Sequence, residues 1–106
     1  MAAKAFGAQK TFFLLNGSTA GNLALAMSLT KKGQKIITNR NCHRSILTGM
    51  IISGAEPLWL IPKRFENWGI WGNVTPESVE EMLKTNKDAG MVWITNPTYE
   101  GVVSDI

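Results

Sequence analysis

Residues 11–27 read T-F-F-L-L-N-G-S-T-A-G-N-L-A-L-A-M, from Thr11 to Met27. An apolar run, Thr11–Leu15, passes through Asn16-Gly17-Ser18-Thr19-Ala20-Gly21-Asn22 into a helix-spaced run that begins Leu23-Ala24-Leu25-Ala26-Met27. Strand, small-residue turn and helix in direct succession form the opening unit of an α/β domain. Gly17 permits a tight turn and a close backbone approach. The free N–H groups of a helix start carry about half a positive charge, which suits a phosphate, and Ser18 and Thr19 add hydroxyl donors. The plainer reading is that one of these hydroxyls caps the helix. The pattern is neither a Walker loop, since no Gly-Lys-Ser/Thr follows, nor a G-x-G-x-x-G fingerprint.

Outward from this stretch the unit repeats. Lys35–Thr38, Pro57–Ile61 and Met91–Thr95 are further short apolar runs of strand character. They are nearly continuous rather than alternating, as in strands covered on both faces of a parallel sheet. Between the four strands lie helices expected at Thr19–Lys32, His43–Ser53 and Pro76–Thr85. The first carries Leu23, Met27 and Thr30 at helical spacing and stops at Gly33. The second carries Ile46, Leu47, Met50 and Ile51 and stops at Gly54. The third has Thr75 as N-cap, Pro76 at the first helical position, acidic Glu77, Glu80 and Glu81 toward its positive end, and a stripe of Val79, Met82 and Leu83. This order predicts an α/β fold: a three-layer, open, mostly parallel sheet with flanking helices and right-handed crossovers. The loop Lys63–Val74 is long for such a connection. Its Trp68, Ile70 and Trp71 either cap the core or form a dimer or ligand surface.

At 106 residues the chain holds one small domain. Hydrophobic content of 44% against 18% charged residues is that of a globular protein, which sets disorder aside. No apolar run approaches the roughly 18–20 residues of a membrane span, and the first residues lack a signal-peptide core. A single cysteine, Cys42, fits a reducing cytoplasm, and cytoplasmic is the expected location. The formal charge of +3 is scattered over Lys31, Lys32, Lys35, Arg40, Arg44, Lys63 and Arg64. Without a dense basic tract or a stacking motif, a nucleic-acid partner is not expected. Both ends read as cut: Ala2–Ala8 resembles the last turns of a helix, and Ser104 the cap of one that does not follow. Residues 1–106 are therefore expected to be a single partial domain.

Two more polar segments stand at carboxyl ends of strands, where ligands of open α/β sheets collect. Asn39-Arg40-Asn41-Cys42-His43-Arg44-Ser45 follows the second strand and contains the only histidine. A neutral imidazole can stack, accept a proton or bind metal. No second histidine or carboxylate cluster supports a metal, so no metal ligand is expected. Cys42, with no base beside it, is read as packing. Thr95-Asn96-Pro97-Thr98-Tyr99-Glu100-Gly101 follows the last strand, which Asn-Pro ends abruptly.

Taken in order, F-G-A-x-x-T-F-F-L-x-N-G-S-T, R-N-C-H-R-S, S-G-A-x-P and T-N-P-T-Y-x-G-V resemble the major domain of bacterial Orn/Lys/Arg decarboxylases, which are pyridoxal-phosphate (PLP) enzymes of the aspartate-aminotransferase fold, type I. The resemblance implies that Gly17, Ser18 and Thr19 belong to the loop holding the cofactor phosphate and that His43 stacks on the pyridine ring. Arg44 stands where lysine is commoner. Asn96, Thr98 and Tyr99 match a stretch near the active-site wall. The carboxylate partner of the pyridinium and the Schiff-base lysine are implied downstream of T-N-P-T-Y. Asp105 comes too early for the first, and no lysine present matches the motif of the second. No catalytic residue is therefore expected within this chain. The resemblance implies an inactive first half of a basic amino-acid decarboxylase domain, its parent a homo-oligomer that takes a small amino-acid substrate, arginine before lysine or ornithine. The alternative is a non-catalytic phosphate- or PLP-binding module or a partner-binding remnant.

Overall fold

A computed structural model describes residues 1–105. In chain order its elements are α1 (Ala2–Ala5), α2 (Gly17–Leu29), β1 (Lys35–Asn39), α3 (Arg44–Ser53), β2 (Glu56–Leu60), β3 (Arg64–Phe65), β4 (Ile70–Trp71), α4 (Pro76–Thr85) and β5 (Met91–Trp93). β1, whose Ile36 to Asn39 are all buried, is the centre of a parallel sheet of order β2-β1-β5. Ile36 pairs with Pro57 and Met91, and Ile37 with Leu58 and Val92.

Because side chains alternate across a strand, this register sorts the core into two clusters. Ile36 lies with Ile46, Met50 and Ala55, flanked by Trp59, Met91 and Trp93, so α3 covers one face. Ile37 lies with Leu60 and Val74, flanked by Val79 and Met82, so α4 covers the other. Opposite faces are what right-handed crossovers require when the chain steps out from β1 to β2 and then returns past β1 to β5. The layers are thus α4, sheet and α3, with α2 laid on α3. Their crossing is tight: a Cβ on Gly49 would meet the Ala26 Cβ at 2.7 Å. Ala26 is the one buried residue of α2.

The ends of α3 and α4 follow their sequence signals. Gly54 closes α3 at φ 71°, a left-handed turn that glycine adopts without a Cβ penalty. The Thr75 hydroxyl accepts the Ser78 N–H at 3.3 Å, with Pro76 inside the first turn of α4.

Several expectations need correction. Thr11–Leu15 is not a strand: among the described residues it has no ladder partner, and Phe12, Phe13 and Leu15 are 74%, 81% and 96% exposed. Apolar character alone does not make a strand without an edge to pair with. The helix expected at Thr19–Lys32 begins at Gly17 and ends at Leu29, where the Thr30 hydroxyl returns to the Ala26 carbonyl at 2.6 Å. Met27 on α2, Ile51 on α3 and Leu83 on α4 face outward rather than into the core. β5 stops at Trp93 because the Asn39 side chain, not a backbone carbonyl, receives the Thr95 N–H at 2.9 Å. The tryptophan loop holds the small antiparallel pair β3–β4. Trp68 does not cap the core but stands exposed beside Phe65, their ring centres 6.3 Å apart. Ser104 is buried in a loop, its main chain clasped by the Asn96 side chain.

Candidate functional site

The chain reverses its direction of travel across the sheet at β1, so the loops leaving β1 and β5 part at their carboxyl ends and leave a crevice. An open cleft of about 490 Å³ lies there. Asn41, Cys42, His43 and Arg44 line it from one loop, and Thr95, Pro97, Thr98 and Tyr99 from the other. Two of the three polar segments therefore share one site.

Buried polar groups hold these loops. Asn39, 2% exposed, accepts the Thr95 N–H and donates through Nδ2 to Asn41 Oδ1 at 2.6 Å. Asn41 Nδ2 donates to the Gly72 carbonyl at 3.3 Å, tying the β3–β4 hairpin to the same seam. The Thr38 hydroxyl donates to the Trp93 carbonyl at 2.7 Å. Bonds of this kind, out of water, fix loop positions because breaking one strands a buried polar atom.

His43 is the N-cap of α3. Its Nδ1 accepts the Ser45 N–H at 3.2 Å and lies 2.7 Å from the Ser45 hydroxyl. That hydroxyl, in a residue only 2% exposed, accepts Asn22 Nδ2 at 2.7 Å. Asn22 lies on α2, three and four residues beyond Thr19 and Ser18, hence on their face of the helix. The first segment does not line the cleft, but this chain of bonds joins it to the second.

Gly17 opens α2 at φ 73°, and Ser18 and Thr19 are exposed within its first turn, so neither is the cap. The cap position belongs to Asn16, whose side chain makes no capping bond. The start of α2 differs in this from those of α3 and α4, which a side chain caps. Its N–H groups are open to an anion.

In the third segment, Asn96 accepts the Ser104 N–H at 2.9 Å and donates to the Ser104 carbonyl at 3.3 Å. Thr98 is buried, and its hydroxyl accepts the Val102 N–H at 3.2 Å. Both side chains shape the turn, while Tyr99 is almost fully exposed at the rim. The Thr95 hydroxyl is buried without a hydrogen-bond partner among the described residues. Cys42 is half-buried against the α3 cluster, and burial pushes its thiol up despite opposing help from the Thr38 hydroxyl. Sequence reading placed Asn22, Asn39, Ser45 and Thr95 in the three polar segments but gave none of them an individual role. Their only signal was a small polar residue at or near an element end, which caps and turns produce equally well.

The fold and site define an open parallel α/β domain whose strand ends gather two polar loops, joined by hydrogen bonds to the open start of α2. The family model described as "Orn/Lys/Arg decarboxylase, major domain" matches residues 1–106, and the chain belongs to that family. It is 39% identical over 106 residues to an arginine decarboxylase of Bacillus subtilis, covering 100% of this chain and 22% of the relative. It is 34% identical over 113 aligned residues to the lysine decarboxylase LdcA of Pseudomonas aeruginosa, covering 95% of this chain and 15% of the relative. The solved structure of the constitutive lysine decarboxylase of E. coli superposes with a TM-score of 0.73 at 30% identity, over 92% of this chain and 15% of that one. The chain thus spans 22% and 15% of the length of these two curated relatives. Among the described residues no helix is long and apolar enough to cross a membrane.

Proposed function

We propose that this chain is the part of a PLP-dependent basic amino-acid decarboxylase that receives the cofactor phosphate at the start of α2 and the cofactor ring against His43. The observation that carries this reading is the uncapped start of α2, bonded through Asn22 and Ser45 to a histidine in the strand-end cleft. The fit to PLP is good on two sides. Exposed Ser18 and Thr19 and the free N–H groups offer donors to a phosphate, and a flat imidazole lines the cleft. On the other two sides the cleft has no lysine and no carboxylate among its lining residues. The groups that would hold the cofactor covalently and pair with its ring nitrogen are not supplied here.

When bound, PLP supplies an electron sink for the pair left as a substrate's α-carboxylate departs as carbon dioxide. This chain's own contribution is binding and orientation: Gly17 lets the backbone close on the phosphate, Ser18 and Thr19 donate to it, and His43 presents its ring face. Arginine is the substrate we favour, since the arginine decarboxylase of Bacillus subtilis is nearer in identity than the lysine decarboxylase of Pseudomonas aeruginosa. The parent is read as a cytoplasmic homo-oligomer, and the 106-residue chain as inactive by itself. The competing reading is a non-catalytic anion-binding module, which the same uncapped helix start also suits.

PLP titration followed by thermal melting separates the two. At tenfold over Kd, binding adds about 1.4 kcal/mol, a rise of roughly 5–10 °C for a domain of this size. PLP should raise the melt more than inorganic phosphate does. Equal shifts favour the anion module, and a folded chain that PLP does not move refutes the cofactor reading.

A further inference from the structure

We propose that Ser45 and Asn22 are positioning residues that hold His43 in one tautomer and one orientation, and that they couple this orientation to helix α2. The proposal rests on the reading of His43 as the ring-facing group.

The direction of the hydrogen bonds decides the tautomer. The Ser45 N–H can only donate, and it points at His43 Nδ1 from 3.2 Å. A proton on Nδ1 would face that N–H, so this bond favours the form in which Nδ1 accepts and Nε2 carries the ring hydrogen. The Ser45 hydroxyl, 2.7 Å away, gives its single proton to the same lone pair and, as the shorter of the two bonds, holds the ring in that form. Its oxygen in turn accepts Asn22 Nδ2 at 2.7 Å, which fixes the hydroxyl rotor. Ser45 is 2% exposed, so no bulk water competes for either bond. His43 itself is open to the cleft. One edge of the ring is therefore clamped from behind while the other projects an Nε2–H.

The second half of the proposal follows from where Asn22 sits. It lies one turn beyond Ser18 and Thr19 on a rigid helix, and α2 rests on α3 at the Gly49–Ala26 crossing. A ligand that draws the start of α2 toward itself displaces Asn22 with it. The ring of His43 is thus set by the element that receives the anion.

The only histidine in the chain makes the test unambiguous. Ring nitrogen–proton correlation spectra of the ¹⁵N-labelled 106-residue protein, taken where the ring is neutral, read the tautomer without any cofactor. Wild type should show Nε2–H alone. Ser45→Ala leaves Nδ1 only the longer backbone bond, so it should bring in a second, Nδ1–H set of couplings, and Ser45→Thr, which restores the short hydroxyl bond, should remove it. Asn22→Ala, at a half-buried site less sensitive to packing, should give an intermediate mixture. A folded Ser45→Ala protein with the wild-type spectrum overturns the proposal. If that variant does not fold, an unchanged spectrum in Asn22→Ala overturns it instead. PLP is then added to the same samples. A wild-type histidine whose ring protons do not shift refutes the cofactor reading alone, because the tautomer result stands without it.

Discussion

Replacing Gly49 with alanine sets two effects of known size against each other at the α2–α3 crossing. In an isolated helix the change gains about 1 kcal/mol, because alanine loses less backbone freedom than glycine. Here the new methyl would stand 2.7 Å from the Ala26 Cβ and 3.6 Å from the Asn22 carbonyl oxygen. Carbon atoms pack at about 3.5–4.0 Å, so α2 must retreat by about 1 Å. Overpacking of this kind costs about 1–3 kcal/mol. The net expectation is a loss of about 1 kcal/mol, which lowers the melting temperature by roughly 4–8 °C. The same retreat stretches the 2.7 Å bond from Asn22 to Ser45 toward the limit of a hydrogen bond. The His43 ring spectrum of Gly49→Ala should therefore move toward that of Asn22→Ala. Calorimetry and the ring spectra check both parts. In a double-mutant cycle Ala26→Gly should cost about 1 kcal/mol in the wild-type background and less beside Gly49→Ala, where it removes the colliding methyl. A Gly49→Ala protein that melts higher than wild type, with its histidine spectrum intact, refutes the account of this crossing.

Three further outcomes follow from single sites. The double variant Ser18→Ala/Thr19→Ala should melt within about 1 kcal/mol of wild type without ligand, since both side chains are exposed and unbonded, but lose the rise that PLP produces. Cys42 should react with iodoacetamide more slowly than a free thiol at neutral pH and keep accelerating above the pH where a free thiol levels off, because burial raises its pKa; a free-thiol rate at neutral pH refutes this. Asp88 is held below the usual carboxylate range by the Lys35 ammonium at 2.8 Å. A lowered carboxyl stabilises above its unfolded pKa and ceases to as pH falls through its folded one. The melting difference between wild type and Lys35→Met should accordingly be present at neutral pH and vanish in acid below the carboxylate range; a difference that persists there refutes the pairing.

What the sequence made legible was whatever local chemistry decides. Thr75-Pro76 and Gly54 act within one turn of themselves, and the helix ends they signal fall where they indicate. The apolar run at β1 is buried, and that at β2 partly so, because each has partners, and that is the part a run of apolar letters does not contain. Thr11–Leu15 is more apolar than β1 but has no ladder, so its phenylalanines stand in water. Leu83 and Ile51 sit at helical spacing but on the wrong side of their helices by a fraction of a turn. Of the site, His43 was readable because a histidine at a strand end carries that meaning, and the start of α2 because glycine and hydroxyls open a helix, although the expected hydroxyl cap does not form. Ser45 and Asn22 were not, since they are 23 positions apart and meet only through the helix crossing.

That crossing explains why the site can be precise on so small a frame. α2 contributes little to the core, with Ala26 its single buried residue, while Leu25, Met27 and Leu29 stand exposed on its outer side. A helix so loosely held by hydrophobic burial has few constraints on its rotation or slide. Two contacts remove that freedom. Glycine facing alanine fixes the distance between α2 and α3, and the Asn22–Ser45 bond fixes the register along them. Both lie on the face that also carries Ser18 and Thr19. The same two contacts that hold α2 therefore set where its open N–H groups point and how His43 is oriented. Loss of either should disturb anion binding and ring geometry together. Loss of the outward-facing Leu25 or Met27, each exposed by about half or more, should disturb neither.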